Sequence, residues 1–127
     1  MKTAFFASTL GLMYVFLSLN VIRYRWKEKV SLGNGSGKDL EKAVRVHGNF
    51  IEYVPFALLL MFFLEILFGY EKLILGLGSM LLLGRIMHAI GLMKVHGASV
   101  GRSGGMVLTF SVIIISSLLI LFRFFNQ

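Results

Sequence analysis

Two stretches of twenty residues, Thr3 to Ile22 and Ser103 to Phe122, contain no charged side chain, and nothing else in the chain limits its fold so severely. A twenty-residue helix is about 30 Å long, the thickness of a bilayer's hydrocarbon core. Backbone N–H and C=O groups find no water in that layer, so such a run takes the one local form that satisfies them internally, the helix. The middle of the chain adds two runs of spanning length that ionisable residues interrupt: Tyr53 to Tyr70 contains Glu65, and Leu73 to Met93 contains Arg85 and His88. The expected fold is all-α, an integral membrane four-helix bundle forming one domain over residues 1–127. Its spans are predicted at about 3–25, 39–69, 72–94 and 102–124.

Composition agrees: 57% of the 127 residues are hydrophobic and mean hydropathy is +0.81, where a soluble domain is about 45–50% apolar. The N-terminal run is too long for a signal-peptide core and reaches Arg23 without a small-residue cleavage pattern, so it reads as a retained span. Lys and Arg number 13 against 6 acids. In so apolar a chain that excess points to loops meeting anionic lipid headgroups, with no nucleic acid partner. There is no cysteine, so any thiol chemistry must use a borrowed thiol.

Arg25-Trp26-Lys27-Glu28-Lys29 followed by Gly33-Asn34-Gly35-Ser36-Gly37 is a charged helix end running into turn chemistry. Gly33 to Lys38 resembles a phosphate loop, but Leu32 and Asp39 stand where that pattern needs Gly and Ser or Thr. The second helix is predicted to start near Lys38 or Asp39, with Asp39 and Glu41 at its positive dipole end, and to project from the membrane. Gly69 to Lys72 is a tight connection, and Val95 to Gly101 links spans three and four. Seven Lys or Arg lie between Arg23 and Arg45, with Lys94 and Arg102 on the same side; the other side holds Lys2, Lys72 and Arg123. The positive-inside rule then puts loops 1–2 and 3–4 in the cytoplasm and both termini outside. Ala4/Ser8 and Ala7/Gly11 give small-xxx-small spacing on the first helix.

Polar residues at membrane depth are costly and usually pair or bind something. Arg45, Asn49 and Glu52 recur at i, i+4, i+7 on one stripe of the second helix. Arg85 and His88 follow at i, i+3 on the third, and Arg102-Ser103 opens the fourth. Arg23, Arg45, Arg85 and Arg102 are expected to converge on a positive cavity that wants an anion. Against that stands mutual neutralisation of Arg45 and Glu52, with His88 a satisfied buried histidine. No second His or acid stands at ligand spacing, so no metal is expected. Pro55 either widens the cavity by kinking the second helix or fits ordinary bundle geometry. Glu65, Ser111, Ser116 and Ser117 have no partner base nearby in sequence and are assigned to helix contacts.

The segment Arg45-Val46-His47-Gly48-Asn49-Phe50-Ile51-Glu52-Tyr53-Val54-Pro55 resembles the second-helix signature of the MAPEG family, membrane-associated proteins in eicosanoid and glutathione metabolism. The likeness continues in register through Val21-Ile22-Arg23-Tyr24-Arg25, Gly84-Arg85-Ile86-Met87-His88 and Arg102-Ser103, and is nearest to the small bacterial members. It implies a homotrimer in a bacterial inner membrane, with glutathione bound between subunits and open to the cytoplasm. By position, Arg23 and Arg45 would hold glutathione carboxylates, Asn49 its backbone and Glu52 its amine. His47 and Tyr53 match positions that contact glutathione in some members, and Arg85 and His88 complete the binding set. Arg102, helped by Ser103, would stabilise the thiolate, since a nearby cation lowers a thiol pKa from about 8.5.

The implied activity is a glutathione transferase or peroxidase acting on a hydrophobic co-substrate or lipid from the bilayer. The alternative is a non-catalytic lipid-binding or scaffold member. Two positions depart from the family: Leu92 stands where eukaryotic members place a tyrosine, and Gly48 where prostaglandin E synthase has an arginine. Small multidrug transporters also have four spans, but they resemble one another in a first-helix glutamate, and no acid lies between Lys2 and Arg23. Because one bundle offers little interior room for four arginines and a tripeptide, the second-helix stripe is expected to meet Arg102 or Arg85 of a neighbouring subunit.

Overall fold

The computed structural model describes residues 1–33, 35–94 and 99–126. It consists of four helices: α1 (Lys2–Glu28), α2 (Lys38–Phe68), α3 (Glu71–Lys94) and α4 (Val100–Phe125). Each is long and apolar enough to cross a membrane. The predicted spans fall inside these helices to within a residue, and α1 continues past its charge-free run as far as Glu28. At 31 residues, α2 is about 46 Å long and runs unbroken through Pro55. It extends well beyond a hydrocarbon core of about 30 Å.

The helix ends follow local chemistry. α1 stops at Lys29 in the left-handed region (φ 55), where Val30 N–H bonds Arg25 C=O at 3.0 Å. α2 stops at Gly69 (φ 65), whose N–H returns to Glu65 C=O at 2.9 Å; glycine takes this backbone without strain. The turn to α3 is thus as short as expected. Ser99 caps α4 by accepting the Arg102 backbone N–H at 3.1 Å. Of the two other connections predicted from sequence, Asn34 and Val95 to Ala98 lie outside the described residues.

The core is aliphatic, with Leu10, Leu40, Met61, Leu64, Ile74, Leu81 and Val112 almost fully enclosed. Phe5, Leu12, Phe16, Ile66, Ile114, Leu118 and Phe122 point outward, so the outer surface is itself apolar, as a lipid-facing surface is. The most extensive helix contact is between α3 and α4, and glycine makes it possible. A Cβ on Gly91 would lie 2.5 Å from the backbone nitrogen of Arg102, and one on Gly105 would lie 2.7 Å from that of His88. Close backbone approach through small residues is what holds membrane helices together. The sequence directed attention to Ala7/Gly11 on α1, yet a Cβ on Gly11 meets nothing within 4 Å. The small-residue contact is on α3 and α4.

Glu65 is the second surprise. Its carboxylate accepts the backbone N–H groups of Lys2 and Thr3, the latter at 2.9 Å, and Lys2 Nζ lies 3.7 Å from Glu71. These are unsatisfied donors at the positive end of α1, so a carboxylate there serves as a cap supplied by another helix. The N-terminus is thereby fixed to the end of the bundle that carries the α2–α3 turn.

Candidate functional site

Counting about twenty residues along the chain from Tyr70, Lys72 and Arg123, at the end of the bundle that carries the α2–α3 turn, reaches Ile51 on α2, Leu92 on α3 and Ser103 on α4. A helix of that length is enough to cross a hydrocarbon core, so these three positions share a level near the far end of the apolar stretch. A cavity of about 270 Å³ opens between these helices at that level, lined by Val44, Arg45, Gly48, Asn49, Glu52, His88, Leu92 and Arg102. Five of the residues predicted for the site, Arg45, Asn49, Glu52, His88 and Arg102, therefore share one cavity. The spacing argument works because i, i+4, i+7 on α2 and the start of α4 both face α3.

Arg85 stands behind this wall. It is 1% exposed, and its Nη2 donates to Asn49 Oδ1 at 3.0 Å and toward Met106 Sδ at 3.8 Å. Its Nε and Nη1 are buried without a hydrogen-bond partner. A guanidinium only donates, so Asn49 turns its carbonyl to Arg85 and keeps its NH₂ as a donor for the cavity. A buried cation with no acid beside it raises the local potential and favours an anion.

Arg45 and Glu52 do not neutralise each other. Among the described residues the one ion pair within 4 Å is Lys2–Glu71. The cavity thus offers Arg45 and Arg102, backed by Arg85, against the single carboxylate of Glu52. Arg102 also sits in the first turn of α4, where the helix dipole adds positive potential.

Other predicted site residues lie elsewhere. Arg23 does not converge with the other arginines; its guanidinium rests 5.8 Å from the centre of the Tyr24 ring on its own helix. His47 faces α1, its Nε2 3.0 Å from Ser18 Oγ and its ring 5.2 Å from that of Tyr14. Being two residues from Arg45 and Asn49, it falls about 200° around the helix from each and cannot share their face. Tyr53 packs edge-on against Phe110 at 5.3 Å, and Ser103 is exposed beside the cavity mouth rather than in its lining.

Within its own chain the stripe touches Arg85 and shares the cavity with Arg102. The reason is the glycine contact: α4 approaches α3 closely enough at Gly91 to bring Arg102 over the α2 face. That signal was present in the sequence as Gly84/Gly91 and Gly101/Gly105. Gly48 and Leu92 line the cavity too. A Cβ on Gly48 would meet nothing within 4 Å, so the cavity is open at that point, and Leu92 supplies an apolar wall.

Comparison with known proteins gives the same answer from a different direction. The model of the MAPEG family matches residues 3–122. The chain is 36% identical over 91 residues to the inner membrane protein YecN of Escherichia coli K12, a match covering 72% of this chain and 70% of that protein. The protein of that name in Escherichia coli O6:H1 matches equally. Four apolar helices and relatives bearing an inner-membrane name describe an integral, multi-pass membrane protein of bacterial inner-membrane type. With its second-helix stripe, its family-model match over nearly the whole chain and its four-helix architecture in agreement, the chain belongs to the MAPEG family.

Proposed function

We propose that the protein binds glutathione in the α2–α3–α4 cavity and directs its thiol at an apolar electrophile or hydroperoxide dissolved in the membrane. The observation that carries this reading is the charge pattern: Arg45, Arg102 and the buried Arg85 against one unpaired acid, Glu52, around a single cavity. A tripeptide with two carboxylates and one ammonium is the complement of that set. When bound, glutathione supplies the thiol that the cysteine-free chain lacks.

Each residue has a defined task. Arg45 holds a carboxylate by charge-assisted hydrogen bonds, the Asn49 NH₂ donates to a carbonyl or carboxylate oxygen, and Glu52 accepts from the ammonium. His88 adds a polar group on the α3 wall. Arg102, together with the N-terminal dipole of α4, favours the thiolate over the thiol. The resemblance extends the proposal to a homotrimer with loops 1–2 and 3–4 cytoplasmic. In it Arg23 and His47, which lie outside their own chain's cavity, and Tyr53 and Ser103 at its margins contact the ligand of the same or a neighbouring subunit.

Calorimetric titration of the detergent-solubilised protein with glutathione should show saturable binding that Glu52→Ala weakens. Conjugation of a generic aromatic electrophile should fall about tenfold in Arg102→Ala for each unit by which the thiol pKa rises. An absence of saturable heat would remove the glutathione site. Leu92 favours a second reading, a lipid-binding member without thiol chemistry, because the cavity has a hydrophobic wall where eukaryotic relatives present a hydroxyl. Binding with no conjugation in either wild type or variant would select that reading.

A further inference from the structure

We infer that a second cleft, at the charged end of α1, is a binding site for the headgroup of an anionic phospholipid. The cleft has a volume of about 360 Å³ and is lined by Ile22, Arg25, Trp26, Lys29, Val30 and Ser31. It shares no residue with the cavity between α2, α3 and α4 and does not depend on the reading of that cavity.

Ile22, Arg25 and Trp26 recur at i, i+3, i+4 on a single stripe of α1, and Lys29, the left-handed residue that ends the helix, adjoins it. The chain then folds back so that Val30 and Ser31 form the other wall. Arg25 Nη1 fixes that fold by donating to the Gly33 carbonyl at 2.7 Å, and the guanidinium keeps four further N–H donors. No acid lines the cleft: a Cβ on Gly35 or Gly37 would meet the Glu28 carboxylate, so that group lies against the glycine turn.

Depth identifies the ligand. Ile22 ends the charge-free run and marks the edge of the hydrocarbon layer. Arg25 stands about 4.5 Å and Lys29 about 10 Å beyond it along the axis. A headgroup layer is about 5–7 Å deep on each side, so the two cations bracket the level of lipid phosphates. Ile22 lies at the level of a lipid's first methylenes, and Trp26, 81% exposed, stands about 6 Å beyond it beside Arg25, in the interfacial layer where tryptophan is usual. From Ile22 outward the cleft therefore presents an apolar edge and then two cations, Arg25 and Lys29, with Trp26 between them and the Ser31 hydroxyl in the facing wall. Arg23 and Lys27, by contrast, lie over the Tyr24 ring, outside the cleft.

Trp26 is the chain's single tryptophan, so its fluorescence reports this site alone. The purified full-length protein is placed in bilayers of phosphatidylcholine, and brominated-chain phosphatidylglycerol or brominated phosphatidylcholine is added at equal mole fraction. The brominated phosphatidylglycerol is expected to quench Trp26 at lower mole fraction. Arg25→Gln/Lys29→Gln should erase most of that preference, a loss on the order of 25-fold at about fivefold per cation. Arg23→Gln/Lys27→Gln, which removes the same charge from the same helix end, should keep the preference. Equal quenching of the wild type by the two lipids overturns the proposal, whether or not the variants fold. So does equal loss in the two double variants, which would assign the preference to general surface charge.

Discussion

Arg85 holds a position that stability alone does not explain. A buried guanidinium with two unpaired nitrogens costs free energy unless an anion compensates it, and apolar replacements of such groups are often neutral or stabilising. Arg85→Met should therefore raise the midpoint of thermal unfolding in the empty protein, by a stabilisation of about 1–3 kcal/mol. The same variant should lose most of the added stability that glutathione gives the wild type. Differential scanning fluorimetry with and without ligand reads both; a variant that is less stable when empty yet keeps the ligand-induced shift contradicts the assignment. The sequence showed that Arg85 was embedded, because the charge interrupts an apolar run. It did not show that the side chain stops short of the cavity and acts through Asn49, since reach depends on the offset between α2 and α3. His47 entered the predicted set through the family resemblance alone, and the helical angle turns it toward Ser18 and Tyr14 of α1.

Among the elements, α3 and α4 decide whether the cavity exists. Gly91→Ala would drive a Cβ against the Arg102 backbone, where neither partner is a flexible side-chain end, so overpacking should cost about 1–3 kcal/mol. It should also displace Arg102 and weaken glutathione binding. Gly76→Ala, also on α3, meets nothing within 4 Å and should leave both unchanged or slightly improve the helix. Thermal unfolding and calorimetry of the pair test this; equal behaviour would remove the glycine contact from the argument. The helices themselves were legible because charge-free runs and glycine stops are local signals. Their packing was less legible: small-residue pairs occur on α1, α3 and α4, and only three-dimensional approach distinguishes Gly91 from Gly11. Likewise, the sequence assigned Glu65 to a helix contact without identifying its partners, which are backbone groups 62 and 63 positions away.

For the whole molecule, the placement of Arg45 and Arg102 in one chain has a measurable consequence for the proposed homotrimer. If one subunit carries Arg45→Ala and its neighbour Arg102→Ala, every cavity lacks one arginine, so co-expressed mixtures should show no recovery of activity over either variant alone. An inter-subunit cavity built from Arg45 of one chain and Arg102 of the next would instead restore a fraction of sites. Pairing Arg23→Ala with Arg102→Ala makes the companion test, since Arg23 is outside its own chain's cavity and is the residue whose role a neighbour would reveal. The cavity's level, at the rim of the hydrocarbon layer, sets a further condition on how such a protein works. In the proposed reaction the peptide is dissolved in water and counted per volume, while the apolar reactant is dissolved in the bilayer and counted per lipid. Adding inert lipid or detergent then thins out one reactant and leaves the other untouched, so turnover follows the composition of the membrane phase rather than the total amount of reactant in the vessel.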